Sequence, residues 1–396
     1  MLRVEAPRTQ RAARRPTHAQ AAPAPQNGVH MQVTKRDGRT EAYDRQKIAR
    51  AMDKALAEVS DPAAHDENVL ESLLVRVEEA LAANGATEVE QIQDLVERAL
   101  MEAGHYDAAK AYILYRHRRA ELRAARHAIC SLVFAEPGGQ PDADAQQAAR
   151  TLDVVLAKVS RDFDPEVYPP SALATKFQGF AKPSMSLAER EDALVHAAVE
   201  LTTPEAPGWE LIAGRLLSFV ATRRLAREER ARGLGSFYEK IRYLTDQGLY
   251  GPYILEHYTH EEICQAASWI NPARDELLDY PGLDLLLKRY VVCTHDHVPL
   301  ESPQEMFMGI ALHLAMRERP EARMGWVRRF YDMLSRLEVT MATPTLSNAR
   351  KPHHQLSSCF IDTVPDSLEG IYRSVDNFAM VSKFGGGMGM YLGKVR

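Results

Sequence analysis

The chain has 396 residues, 45% hydrophobic and 26% charged, enough for two or three domains with sizeable cores. A net charge of −5 excludes a protein built to coat polyanions, and no apolar run approaches the roughly 20 residues that span a bilayer. Four scattered cysteines, Cys130, Cys264, Cys293 and Cys359, form no CxxC pair. That argues against a zinc site and a secreted disulfide framework, and for a reducing cytoplasm.

Residues 1–30 are rich in Arg, Ala, Pro and Gln without apolar periodicity, the composition of a disordered tail. Arginines at 3, 8, 11, 14 and 15 suggest a transit peptide only faintly, because serine is absent and prolines interrupt any amphipathic helix. From Met31 the sequence becomes ordered. Val33–Tyr43 reads as a hairpin turning at Asp37-Gly38. Asp44 is placed to cap a helix with Ile48, Met52, Ala55, Leu56 and Val59 on its apolar face. A second helix carries Val69, Leu70, Leu73, Leu74, Val77 and Leu81. A third carries Ile92, Leu95, Val96, Ala99 and Leu100 and ends near Gly104. A fourth, from about Tyr106, runs basic through Arg116, His117, Arg118, Arg119, Arg123 and Arg126. Lys35, Arg36, Lys47 and Arg118 are candidates for a polyphosphate clamp, since cationic donors suit a triphosphate; on charge alone a solvated basic face is the more ordinary reading.

Residues 127–150, with Pro137-Gly138-Gly139-Gln140-Pro141, read as a linker. Asp192–Ala198 and Gly208–Leu217 then echo Gln93–Met101 and Tyr106–Leu114, which suggests an internal repeat over 151–232. It lacks the hairpin and a counterpart of Lys35, so it reads as structural. Residues 233–335 are again mostly helical. Thr259 is an N-cap with acids in the first turn, Pro303 starts a helix through Ala315, and Gly325–Leu337 makes another. Thr294-His295-Asp296-His297 reads as a turn between apolar runs, although His and Asp are metal ligands elsewhere.

The last stretch, Met341–Arg396, carries the chemistry. The apolar run Leu337–Met341, closed by Ala342-Thr343-Pro344, predicts a strand stopped by proline. Pro344, Asn348 and Pro352 predict an irregular loop after it. Ser357-Ser358-Cys359-Phe360-Ile361 predicts a second strand with two hydroxyls beside a thiol. Such a thiol reduces a substrate only with a second thiol to close a disulfide, whereas a cysteine in an apolar run is commonly a small core residue. Asp366 or Ser367 is placed to cap a helix, with Glu369 close to a capping box, running to about Lys383 and stopping at Gly385-Gly386-Gly387. Those glycines lack a dinucleotide fingerprint.

ATPTLSN, QLSSCF, PDSLEGI and GGGMGMYLGKVR, in this order, resemble the large subunit of ribonucleotide reductase. VTKRDGR followed by YDRQKI resembles an ATP-cone, a regulatory domain at the start of many such reductases. The resemblance covers Met31 to Arg396, strongest at both ends. It implies an α+β fold: a disordered tail (1–30), an ATP-cone (31–126), a linker (127–150), a degenerate second cone (151–232) and a helical region (233–335). The start of a ten-stranded catalytic α/β barrel (336–396) would follow. It implies that Thr343 and Ser358 contact the substrate and that Cys359 is one of two reducing thiols. Asp366, Ser367, Leu368 and Arg396 would bind a specificity-setting deoxynucleoside triphosphate at a homodimer interface. Lys35, Arg36, the segment Glu41, Ala42, Tyr43, Asp44, Arg45, Gln46 and Lys47, and Arg118 would hold ATP or dATP. Val89 stands where the family often has threonine, and Arg118 where lysine also occurs.

The resemblance further implies a radical-generating small subunit, diiron-type by the cone-plus-barrel layout, and thioredoxin or glutaredoxin as reductant. It implies no metal in this chain and neither nucleic acid nor membrane as partner. No cysteine follows Cys359. The radical cysteine and the second reducing thiol are therefore expected outside the chain, which reads as a fragment inactive alone and completed by a C-terminal part. The alternative is a non-catalytic nucleotide-binding regulator that uses the cone. A cone-bearing DNA-binding repressor would want a zinc ribbon, and no CxxC pair is present.

Overall fold

The computed structural model describes residues 32–35, 38–58, 67–85, 88–135 and 142–396. The expected tail, Arg36, Asp37, Val59 and the Pro-Gly run at 137–141 lie outside them. The chain divides into two compact units, Met1–Arg118 and Arg119–Arg396.

In the first unit β1 (Gln32–Thr34) and β2 (Thr40–Ala42) pair antiparallel, Val33 opposite Glu41. The turn between them closes with Gly38 N–H donating to the Lys35 carbonyl at 2.9 Å, at a Gly38 φ of +80°. Helices α1 (Arg45–Ala57), α2 (Glu67–Asn84), α3 (Val89–Glu102) and the start of α4 (Tyr106–Val133) follow. The Asp44 carboxylate accepts from Gln46 N–H at the head of α1, as its sequence position predicts. Met52, Leu56, Leu73, Val77, Leu81, Val96 and Leu100 form the core, at the 3.6-residue period seen in the sequence. A bridge between Thr34 and Glu88 sets the start of α3 beside β1. Arg116 on α4 reaches Glu90, Asp94 and Glu97 of α3 at 2.6–2.8 Å. These carboxylates hold the guanidinium firmly protonated although burial opposes it.

In the second unit, the stretch expected as a linker is helical at both ends. α4 continues to Val133, because Ile129, Cys130 and Val133 are buried, and α5 (Ala143–Asp162) starts on the Asp142 cap. α6 (Pro170–Phe180), α7 (Leu187–Val199) and α8 (Trp209–Arg232) pack with them around Leu152, Leu156, Phe177, Leu194 and Ile212. Burial pushes the Cys130 thiol up to about 12, so this cysteine behaves as a small apolar residue.

A third core surrounds α13 (Pro303–Ala315), buried on nearly every face. Around it stand α9 (Phe237–Asp246), α10 (Tyr253–His257), α11 (His260–Trp269), α12 (Tyr280–Leu285) with its π turn to Tyr290, and α14 (Pro320–Ser335). Thr259 caps α11 in a capping box with Glu262. Residues 294–297 form the expected turn: Thr294 N–H donates to Val298 O at 2.9 Å and Cys293 bridges Pro299.

The strand expected at Leu337–Met341 is absent. Leu337 has φ +59°, and the chain instead forms a short helix, α15 (Thr343–Asn348). Pro344 explains this. In the first turn of a helix its missing N–H costs nothing, and the Ala342 carbonyl accepts from both Thr345 and Leu346. The irregular loop therefore starts only after Asn348. β3 (Cys359–Thr363), α16 (Leu368–Lys383) and β4 (Gly387–Tyr391) close the chain, with the strands parallel and Cys359 opposite Gly387. Ser367 caps α16, whereas Glu369 pairs with Arg373 instead of completing a capping box.

Candidate functional site

Most of the polar residues predicted from sequence fall at three places; Arg36 lies outside the described residues. The first is the hairpin. Lys35 lies 3.2 Å from Glu41, and Lys47 lies 3.6 Å from Glu41 and 3.8 Å from Asp44. The Lys35 hydrogen bond, reinforced by both lysine charges, holds the Glu41 carboxyl below the usual carboxylate range. Arg45 is turned to α2, where it meets Glu71 and Glu78. Burial, then Glu78, pushes the Tyr43 hydroxyl up to about 12. Ala42 and Gln46 are exposed on the same segment, and Arg118 is exposed on α4. Two cations on one carboxylate suit a polyphosphate, which offers them more negative charge than a single glutamate does.

The second place is the start of β3. Cys359 is exposed, and its Sγ lies 3.4 Å from Ser358 Oγ. The thiol is therefore open to solvent and not sealed in a core. The Ser358 carbonyl accepts from Gly387 N–H at 2.6 Å, which brings the glycine turn beside the thiol. Gly385, at φ +82°, lies against Thr343: an added Cβ would stand 3.7 Å from Thr343 Cγ2. Gly386 packs on Phe360, where an added Cβ would come within 2.9 Å of the ring. Thr343 Oγ1 in turn shares a 3.2 Å hydrogen bond with Tyr290 OH. Thr343, Ser358, Cys359 and the glycine turn thus stand together at one strand end.

Sequence reasoning missed what holds this place. Arg350 is fully buried and paired with the equally buried Glu301. Its guanidinium also donates to the Leu346 carbonyl at 2.9 Å and the Tyr290 carbonyl at 2.8 Å. Glu301 accepts further from Val292 N–H at 2.7 Å and from Tyr250 OH. Burial opposes the charge on Arg350, but Glu301 outweighs it and keeps the guanidinium protonated. The same burial, with Glu301, drives the Tyr250 hydroxyl far above its ordinary value. Gly309 on α13 admits this cluster, since a Cβ there would lie 2.9 Å from Arg350 Cδ and 3.0 Å from Tyr250 OH. The sequence carries no signal for it, because Arg350 stands among polar residues (Ser347 to His354) and Glu301 directly before Ser302-Pro303-Gln304.

The third place is the head of α16. Arg396 pairs with Asp366 through both its side chain and its backbone N–H, the latter at 3.3 Å. Ser367 caps the helix and Leu368 is 73% exposed. The four residues predicted to act together are therefore neighbours.

The chain matches known families over most of these elements. Residues 31–121 match the ATP cone domain, residues 276–354 the all-alpha domain of ribonucleotide reductase, and residues 357–396 its barrel domain. The ATP-cone match supports binding of a nucleotide effector in the first unit. The alpha subunit of ribonucleoside-diphosphate reductase from Treponema pallidum is 48% identical over 372 residues, which cover 92% of this chain and 42% of that protein. Its counterpart from Synechocystis is 36% identical over 213 residues, 54% of this chain and 27% of that protein. The Chlamydia muridarum alpha subunit is 30% identical over 383 residues, 91% of this chain and 35% of that protein. The chain thus spans less than half the length of these relatives. Among the described residues no helix is long and apolar enough to cross a membrane. With an ATP cone at its head and both reductase domains represented behind it, the chain belongs to the ribonucleotide reductase large-subunit family.

Proposed function

We propose that this chain is the N-terminal part of a ribonucleoside-diphosphate reductase alpha subunit, converting ribonucleotides to deoxyribonucleotides for DNA synthesis. The observation that carries the reading is the exposed Cys359 thiol beside the Ser358 hydroxyl, at a strand end shared with Thr343. Thr343 and Ser358 bind the diphosphate and ribose region. Cys359 and a second thiol each give up one hydrogen; one departs with the 2′-hydroxyl as water, the other takes its place on C2′, and the two sulfurs close into a disulfide. Thioredoxin or glutaredoxin reopens it. The second thiol, and the cysteine whose thiyl radical abstracts the ribose 3′ hydrogen, we assign to the part of the relatives' length that this chain does not span. A small subunit, diiron-type in this reading, supplies the radical.

ATP or dATP sits in the first unit on Lys35, Arg36, the segment Glu41–Lys47 and Arg118. A deoxynucleoside triphosphate effector binds at Asp366, Ser367, Leu368 and Arg396 between two copies of the chain. Residues 151–232 are a degenerate, structural cone. In support, their cations Arg215, Arg223 and Arg224 are tied to Asp162, Glu191 and Asp192. A purely regulatory nucleotide-binding protein would leave the match over 276–396 without a role.

The test is co-expression with the C-terminal part and the small subunit, followed by assay of deoxynucleotide formation. Cys359→Ser is expected to lower turnover by about three orders of magnitude or more, as removal of a reacting group does. Full activity in that variant would end this reading.

A further inference from the structure

α15 ends on Asn348, the last residue of the ATPTLSN stretch and one to which the resemblance assigns no role. Its amide nitrogen donates to two carbonyls at once, to Gln355 O at 2.9 Å and to Phe384 O at 3.3 Å. Both neighbours are acceptors, so the amide must face them with its nitrogen, and both its N–H groups are engaged. Gln355 lies on the loop that leads into β3 and Cys359. Phe384 is the C-cap of α16, directly before the glycine turn that leads into β4. One side chain therefore ties together the two chain segments that enter the parallel pair at Cys359 and Gly387.

Other contacts converge on the same junction. Thr345 Oγ1, buried on α15, donates to the Leu356 carbonyl at 3.4 Å, and the His353 ring stacks on Phe384 at 3.7 Å. The Ser358 carbonyl takes the Gly387 N–H. α15 is itself anchored from behind, where Arg350 binds its Leu346 carbonyl. Removing Asn348 leaves the anchor in place but takes away the one side chain that hydrogen-bonds both strand entries named here.

We propose that Asn348 is a positioning residue for the thiol site: its two donors fix the Ser358-Cys359 corner against the glycine turn and Thr343. The catalytic half of this rests on the reading of Cys359 as a reducing thiol; the geometric half does not. Both halves are tested with Asn348→Ala and with Asn348→Asp, which keeps the shape but loses the donors.

On this chain, hydrogen exchange read by peptide mass spectrometry should quicken by about tenfold over 355–363 and 384–391 in both variants, the scale of one lost hydrogen bond. Peptides from α13 should be unchanged. In the completed reductase both variants should lower kcat by about tenfold with KM for the ribonucleotide within about twofold, the split expected when alignment and not binding is lost. An aspartate variant indistinguishable from wild type in exchange would show a space-filling side chain and overturn the proposal. So would faster exchange spread evenly over the unit. Local loosening with unchanged kcat would overturn the catalytic half. Full turnover in Cys359→Ser would instead remove the reading of the thiol, whatever Asn348 does.

Discussion

His313 is 3% exposed on α13, and its Nδ1 has no hydrogen-bond partner. Burial first, then His354, Arg350 and His257, pull its pKa down to about 4 from an ordinary 6.5. The folded protein thus keeps this ring neutral while the unfolded chain takes up a proton near pH 6.5. The associated stability is complete above that pH and drains away as pH falls toward 4, about 2 kcal/mol between pH 7 and 5. His313→Phe keeps a ring against Tyr253, 5.6 Å away, and removes the titration. Urea midpoints at the two pH values should therefore differ less in the variant than in wild type. A second test at this scale concerns Glu301. Glu301→Gln leaves the fully buried Arg350 charge without its counter-ion, and such a loss costs about 3–5 kcal/mol. Urea unfolding followed by tryptophan fluorescence should register it.

Among the elements, the hairpin and α1 make the regulatory prediction. Lys35→Ala and Lys47→Ala should each weaken ATP binding by about tenfold, as loss of one charge-assisted contact does; equal affinities in calorimetry would count against the cone clamp. Most elements were legible because apolar period and cap agree. Asp44, Thr259, Ser302 and Ser367 all cap the helices that follow them. The Leu337–Met341 strand was misread because a short apolar run has no period to separate strand from coil, and the helix-starting habit of Pro344 outweighed its strand-stopping one. In the 127–150 stretch the Gly and Pro at its centre hid from the sequence reading the end of α4 and the start of α5. Of the site, the thiol, its serine and Thr343 were readable as motif. The Arg350–Glu301 pair and the two-carbonyl grip of Asn348 were not, because they join residues distant in sequence and exist only after packing.

For the whole molecule, the reductase assignment predicts that the isolated chain forms no deoxynucleotide from a ribonucleoside diphosphate, while adding the C-terminal part and small subunit restores turnover. Product formation by the chain alone would contradict the division of the thiols proposed above. The exposed side chains of Ile361, Tyr372, Phe378 and Tyr391 on β3, α16 and β4 fit a piece that gains further contacts when completed. Gly309 links these scales. A single methyl there would crowd Arg350 and Tyr250, and the displacement would travel along α15 toward the sulfur. An alanine in the middle of an apolar helix, unremarked in any inspection of the reacting groups, would then present as a chemical defect with no altered ligand contact to account for it.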